Sequence, residues 1–334
     1  MRDMRPFVGF LLPVAAFGGA CVTTSGCTEW ITYGNGPARS MVYRSYPLTE
    51  KNEHIRRAFV LVHGASRDAD NYFRTAVAAA FLAGALDDTI VVAPRFASNQ
   101  ANLCRDTLGA NEVNWPCGGD SWRSGGVSTN NKELASYDFV DELLRKFARK
   151  DVFPNLKAIV LAGHSAGGQF VTRYEMANKV HDSLGVPVTY VVSNPSSYAY
   201  PDALRPAGEK GEMKPFADES KCAQYNRWPY GFENRGNGYA SKIADDQLKK
   251  QLAARPTIYL LGQLDTLPLA GFDSSCPAMA QGPTRLARGE TFESYVVSKY
   301  GAKDHKTVVV EMCGHNARCM FTSDTTLPIV FPKQ

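Results

Sequence analysis

Lys157 to Ala162 reads KAIVLA, and Gly163-His164-Ser165-Ala166-Gly167-Gly168 follows it without a spacer. An apolar run of this kind fits a strand buried on both faces. Gln169 to Lys179 then has helical character. A strand that becomes a helix within six residues must turn tightly. A serine at the apex of that turn takes a strained backbone, which only small neighbours tolerate. The turn lifts the hydroxyl above the sheet edge and aims the first amides of the helix at the same point. A glycine-rich turn without chemistry is the competing reading, but the strand before it and the helix after it are the context that G-x-S-x-G requires.

The rest of the chain keeps the same rhythm. Ala58 to His63, Thr89 to Ala93, Val188 to Ser193, Pro256 to Gly262 and Thr307 to Met312 are further buried strands. Two shorter β segments, Trp30 to Tyr33 and Met41 to Tyr46, precede them. Asp70 to Leu86 and Asn130 to Lys150 have apolar residues at helical spacing. Buried strands alternating with helices predict an α/β domain with a mostly parallel sheet covered on both faces. Two long stretches break the pattern, 97–129 and 197–241. Loops of that length in a compact domain serve as pocket walls or lids, or else as disulfide-stapled surface excursions.

Composition narrows the partners. Among 334 residues, 37 Lys and Arg stand against 33 Asp and Glu, a net charge of +4, too mild to imply nucleic acid. Arg2 and Arg5 precede an apolar centre from Phe7 to Phe17 and the small residues Gly18, Gly19 and Ala20. That order reads as a signal peptide over residues 1–20, leaving 21–334 as a single domain, secreted or periplasmic. Cleavage after Ala20 would expose Cys21, and a lipid anchor there would be the chain's one link to a membrane. Eight cysteines in an exported chain predict disulfides, although the pairings number on the order of a hundred. Spacing favours Cys104–Cys117, Cys313–Cys319 and Cys222–Cys276, with Cys21 and Cys27 left over. No Cys and His cluster has zinc-ligand spacing, so neither metal nor cofactor is expected.

A serine needs a base, and the base needs a carboxylate to orient it. Of the six histidines, His315 directly follows the last buried strand, in Cys313-Gly314-His315-Asn316, and is the candidate base. His164 lies within the turn, where its ring is expected to point away from the hydroxyl. His181 ends a helix, His54 and His305 sit in polar stretches, and His63 is read as a structural residue. Asp265 follows the strand PTIYLLG and is the candidate acid, ahead of Asp273 and Asp304. The backbone N–H groups of Ala65 and Ala166 are the candidate oxyanion donors, with Ser66 as the alternative to Ala65. Gly64 lets that backbone come close.

At these residues the chain resembles the α/β-hydrolase superfamily, through HGA, GHSAGG, GQLDT and CGHN in that order over Ala58 to Asn316. The resemblance implies an eight-stranded sheet and hydrolysis through an acyl-serine intermediate, in the chain order Ser165, Asp265, His315. The aromatic-rich segment 197–241 follows the sixth strand, where this superfamily commonly places its cap. Trp115, Trp122, Trp228 and Tyr230 either line a pocket for an apolar acyl group or fill the core. The first expectation is a carboxylic-ester hydrolase acting on a small or polymeric ester. A serine peptidase or amidase on the same triad, or a binding protein that keeps the fold, are the alternatives.

Overall fold

The computed structural model describes residues 19–332 except 101–103, 119–120, 208–210, 218 and 270. Most of the expected signal peptide therefore lies outside the described residues. The strands are β1 Thr28–Thr32, β2 Arg39–Arg44, β3 Arg57–Val62, β4 Thr89–Pro94, β5 Ala158–His164, β6 Val188–Ser193, β7 Leu204–Ala207, β8 Glu212–Pro215, β9 Thr257–Gly262 and β10 His305–Val310. The helices are α1 Ala69–Leu82, α2 Ser136–Phe147, α3 Ala166–Ala177, α4 Asp245–Ala254, α5 Cys276–Met279, α6 Arg285–Tyr300, α7 Ala317–Thr322 and α8 Leu327–Val330.

Eight strands form one sheet in the order β1-β2-β4-β3-β5-β6-β9-β10. β2 pairs antiparallel with β1 and β4, and every other neighbouring pair is parallel. Every residue of β3, β4 and β9 is buried, as a parallel sheet covered on both faces requires. Alternate residues of β3 feed separate cores. Ala58, Val60 and Val62 pack with α2, α3, α4 and α6, whereas Phe59 and Leu61 pack with α1, α7 and α8. The expected α/β-hydrolase sheet is thus present.

The insertion departs from a plain loop. β7 and β8 make an antiparallel hairpin apart from the main sheet. Cys222–Cys276 ties the segment to α5. Tyr239 donates its hydroxyl to Asp141 on α2 at 2.5 Å. Arg205 is buried and donates to the carbonyls of Asp202, Tyr225 and Tyr230. The aromatics on the two loops are mostly structural: Trp115 and Trp122 are core residues, Trp228 donates its indole N–H to Ser124, and Tyr230 binds Asp273.

The eight cysteines form Cys21–Cys27, Cys104–Cys117, Cys222–Cys276 and Cys313–Cys319. The three pairs read from spacing are present, and the two cysteines left over pair with each other. Among the described residues, no helix is long and apolar enough to cross a membrane.

Candidate active site

The C-terminal ends of the parallel strands converge on one point of the sheet, where ligands of open α/β sheets bind. β5 ends at His164, and Ser165 follows with φ 58° and ψ −117° before α3 begins at Ala166. A positive φ at a non-glycine residue is strained, and here it points the serine side chain away from the helix it precedes. The flanking glycines make the turn feasible. A Cβ on Gly163 would lie 2.1 Å from the Gly167 carbonyl oxygen, and a Cβ on Gly167 would lie 2.2 Å from that of Val62.

His315 reaches the serine from the loop between β10 and α7. Its Nε2 is 2.9 Å from Ser165 Oγ, and its Nδ1 is 2.8 Å from Asp265 Oδ2. An ionised carboxylate only accepts, so Nδ1 carries the proton, donates it to Asp265 and leaves Nε2 free to accept from the serine hydroxyl. Cys313–Cys319 brackets this loop. Asn316 accepts the Cys319 N–H at 3.0 Å and starts α7. Asp265 is 3 % exposed. Of its rivals, Asp273 binds Tyr230 and the Ser275 N–H, and Asp304 immediately precedes β10, at the opposite end of that strand from the His315 loop.

One expectation about the histidines is corrected and another gains detail. The His164 ring bonds to Tyr72 rather than to the serine: its Nδ1 is 3.0 Å from the Tyr72 hydroxyl, and its centroid is 4.7 Å from that of His315. Burial, reinforced by the nearby His315 and Arg285, holds its pKa well below the ordinary imidazole value. His305 is not solvated. It opens β10, is buried, and its Nδ1 lies 3.0 Å from the Tyr259 hydroxyl. The reason is that β10 starts two residues earlier than the valine run shows.

His63 is structural, as its position implied. The Phe96 N–H donates to its Nε2 at 3.2 Å, so Nδ1 bears the proton and donates to the Gly64 carbonyl at 2.8 Å. Burial pushes its pKa down to about 3. In the unfolded chain the ordinary value is near 6.5, so between those limits the unfolded state binds a proton that the folded state refuses. Stability from this residue is therefore complete above pH 6.5 and declines as the pH falls. Between pH 7 and 5 the expected loss is roughly 2 kcal/mol. Urea unfolding of His63→Gln should show less pH dependence than the wild type by that amount. Equal dependence in both would refute the assignment.

Gly64 places the next residues against the serine. A Cβ on Gly64 would sit 3.7 Å from Ser165 Cβ and 2.8 Å from the Tyr72 hydroxyl oxygen. The Arg67 guanidinium, donating to the carbonyls of Phe96 and Pro116, secures the same loop. Ala65 and Ser66 both line the cleft beside Ser165. Ala166 is the first residue of α3, so its N–H has no acceptor within the helix. The cleft, of about 680 Å³, also has Asp68, Asn71, Arg74, Asn316 and Arg318 along its wall. Its lining contains no tryptophan and nothing from 197–241 among the described residues. The same limit holds for metal sites: no group of three or more His, Cys, Asp or Glu is arranged to hold an ion.

Two contributors escaped sequence reading. Asn194, with φ 46°, accepts the Gly262 N–H at 2.8 Å and donates to the Gly314 carbonyl at 3.2 Å, joining the ends of β6 and β9 to the His315 loop. Its only sequence signal is an Asn directly after a buried strand. Arg285 donates to Asp265 Oδ1 at 3.2 Å. Nothing in its spacing marks it.

Arranged this way, the site holds a hydroxyl, an imidazole and a buried carboxylate in one hydrogen-bonded line. No curated protein sequence matches the chain. Among solved structures it is similar to a poly(3-hydroxybutyrate) depolymerase from Bordetella parapertussis. That match has 21% identity and a TM-score of 0.60, covering 87% of this chain and 83% of the other. It is also similar to poly(aspartic acid) hydrolase-1 from Sphingomonas sp. KT-1, at 22% identity and a TM-score of 0.61, covering 90% of this chain and 95% of that one. Likenesses at such identity show the fold. Residues 59–326 match the model of the alpha/beta hydrolase family, and with most of its length inside that match the chain belongs to this family.

Proposed function

We propose that the protein is a serine esterase that cleaves carboxylic esters through an acyl-serine intermediate. The observation that carries this reading is the unbroken relay from Asp265 through His315 to a serine held at φ 58°. In the forward step His315 Nε2 takes the hydroxyl proton as Ser165 Oγ attacks the carbonyl carbon. The N–H groups of Ala65 and Ala166 receive the oxyanion. The imidazolium, steadied by Asp265, returns the proton to the leaving alcohol oxygen. Water then repeats the sequence on the acyl-serine and releases the acid.

The surroundings support an ester with an apolar portion, though not through tryptophans. Leu264, Leu267, Leu269 and Met312 are 51, 60, 61 and 77 % exposed, on the two loops that carry Asp265 and His315. Exposed apolar side chains on the loops that carry the acid and the base suit a substrate with a hydrocarbon portion. Four disulfides favour an oxidising compartment, secreted or periplasmic.

Hydrolysis of p-nitrophenyl acetate and butyrate by the wild type and by Ser165→Ala tests the reading. The expected result is turnover that falls by at least about 10³-fold in the variant. Equal rates in both would exclude acyl-serine chemistry and leave a binding role for the fold. A matching anilide separates ester from amide hydrolysis: an anilide cleaved as fast as the ester would favour the amidase reading.

A further inference from the structure

Asp265 has a second partner, which the mechanism above does not use. Its Oδ2 faces His315, and its Oδ1 accepts from Nη1 of Arg285 at 3.2 Å. Arg285 opens α6, and its side chain is entirely shielded from solvent. Nε donates to Ser196 Oγ at 2.7 Å, and Nη2 donates to the Leu269 carbonyl at 3.0 Å. The Phe272 ring lies 5.2 Å from the guanidinium carbon. A guanidinium keeps its charge and donates in a rigid planar fork, so these bonds fix an orientation as well as a charge.

Two separate pieces of chain meet at this one side chain: Ser196 comes from the loop after β6, and the loop after β9 supplies both Asp265 and Leu269 before it goes on to Gly271 in the cleft wall. Burying an ion pair gives little net stability over an apolar replacement. The arrangement is better explained by what it does to the carboxylate. With Oδ1 held by Arg285, the Asp265 carboxylate cannot rotate, and Oδ2 stays aimed at His315 Nδ1.

We propose that Arg285 is a positioning residue for hydrolysis, locking the Asp265 carboxylate toward His315 and coupling that acid to the loop that walls the cleft. The inference rests on the reading of Ser165, His315 and Asp265 as the triad. His315 is faced by Asp265 and by His164, with Arg285 behind the carboxylate. Removing the cation leaves more negative potential at the imidazole and favours its protonated form.

The test compares wild type, Arg285→Met and Arg285→Lys in p-nitrophenyl butyrate hydrolysis across pH, with a fluorophosphonate probe reporting on Ser165. In Arg285→Met, kcat should fall about 10- to 100-fold with KM within about twofold, because geometry is lost and binding is not. The acid limb of kcat/KM should move up by about half a pH unit. Arg285→Lys should restore the limb and recover only part of kcat, since an ammonium lacks the fork. A lowered melting temperature with unchanged kcat and limb would mean a structural role and overturn the proposal. If neither variant folds, Ser196→Ala decides: it removes one of the acceptors that orient the guanidinium without altering charge, and a kcat within about 1.5-fold of wild type, against an expected fall of about threefold, would overturn the proposal. A wild type that neither labels nor hydrolyses would overturn the triad reading itself, whereas a labelled wild type with an unaffected Arg285→Met would overturn this inference alone.

Discussion

Asp265→Asn should lower kcat for p-nitrophenyl butyrate by about 10⁴-fold while the protein stays folded. The size follows from a hydrogen-bond conflict. Asp265 accepts on both oxygens, from His315 and from Arg285. Asparagine has one acceptor and one donor. Arg285 can only donate, so the amide oxygen must face it, and the NH₂ group then faces His315. That turns Nδ1 into an acceptor and moves the imidazole proton to Nε2, which lies 2.9 Å from the serine oxygen. The base then presents a proton where it should take one. Steady-state kinetics with circular dichroism as a folding control make the check, and retention of more than a tenth of wild-type kcat would remove Asp265 from the mechanism.

The second large effect falls on folding. Gly167→Ala should leave almost no soluble native protein, and Gly163→Ala should do the same. In both cases the new methyl group meets backbone. For Gly167 the contacts are the Val62 and His63 carbonyl oxygens at 2.2 and 2.7 Å. For Gly163 the contact is the Gly167 oxygen at 2.1 Å. No rotamer change relieves a clash with main chain where the strands and α3 meet, and a loss beyond about 4 kcal/mol is expected. Gly36, whose Cβ would meet nothing within 4 Å, is the control; Gly36→Ala should shift stability by less than about 0.5 kcal/mol. Expression yield and urea midpoints measure both. A soluble Gly167→Ala with a wild-type midpoint would show that the elbow is looser than its geometry requires.

The main sheet was legible because its strands are buried on both faces, and such strands are written as runs of Val, Ile, Leu and Ala. The β7–β8 hairpin was not, since LRPA and EMKP carry no such run. α6 shows the same limit more sharply. Its buried positions, Arg285, Arg288, Gly289, Phe292, Tyr295 and Val296, follow helical spacing, but the first three are not apolar. A pattern search for hydrophobic period passes over a helix that buries arginines. The loop aromatics were ambiguous for a different reason: Trp115 looks the same in sequence whether it fills a core or a pocket. Ser165, Asp265 and His315 were readable because each lies within a few residues of the end of a buried strand. Arg285 sits twenty residues past the acid, and only folding brings them together.

The four disulfides share a property that their loop lengths conceal. Each cysteine pairs with the next one along the chain: 21 with 27, 104 with 117, 222 with 276, 313 with 319. No bridge encloses or crosses another. A chain delivered N-terminus first into an oxidising space would meet its correct partners in order of arrival, with each bond closed before the following cysteine appears. Such a molecule needs an oxidant to mature and has little use for an isomerase to unscramble it.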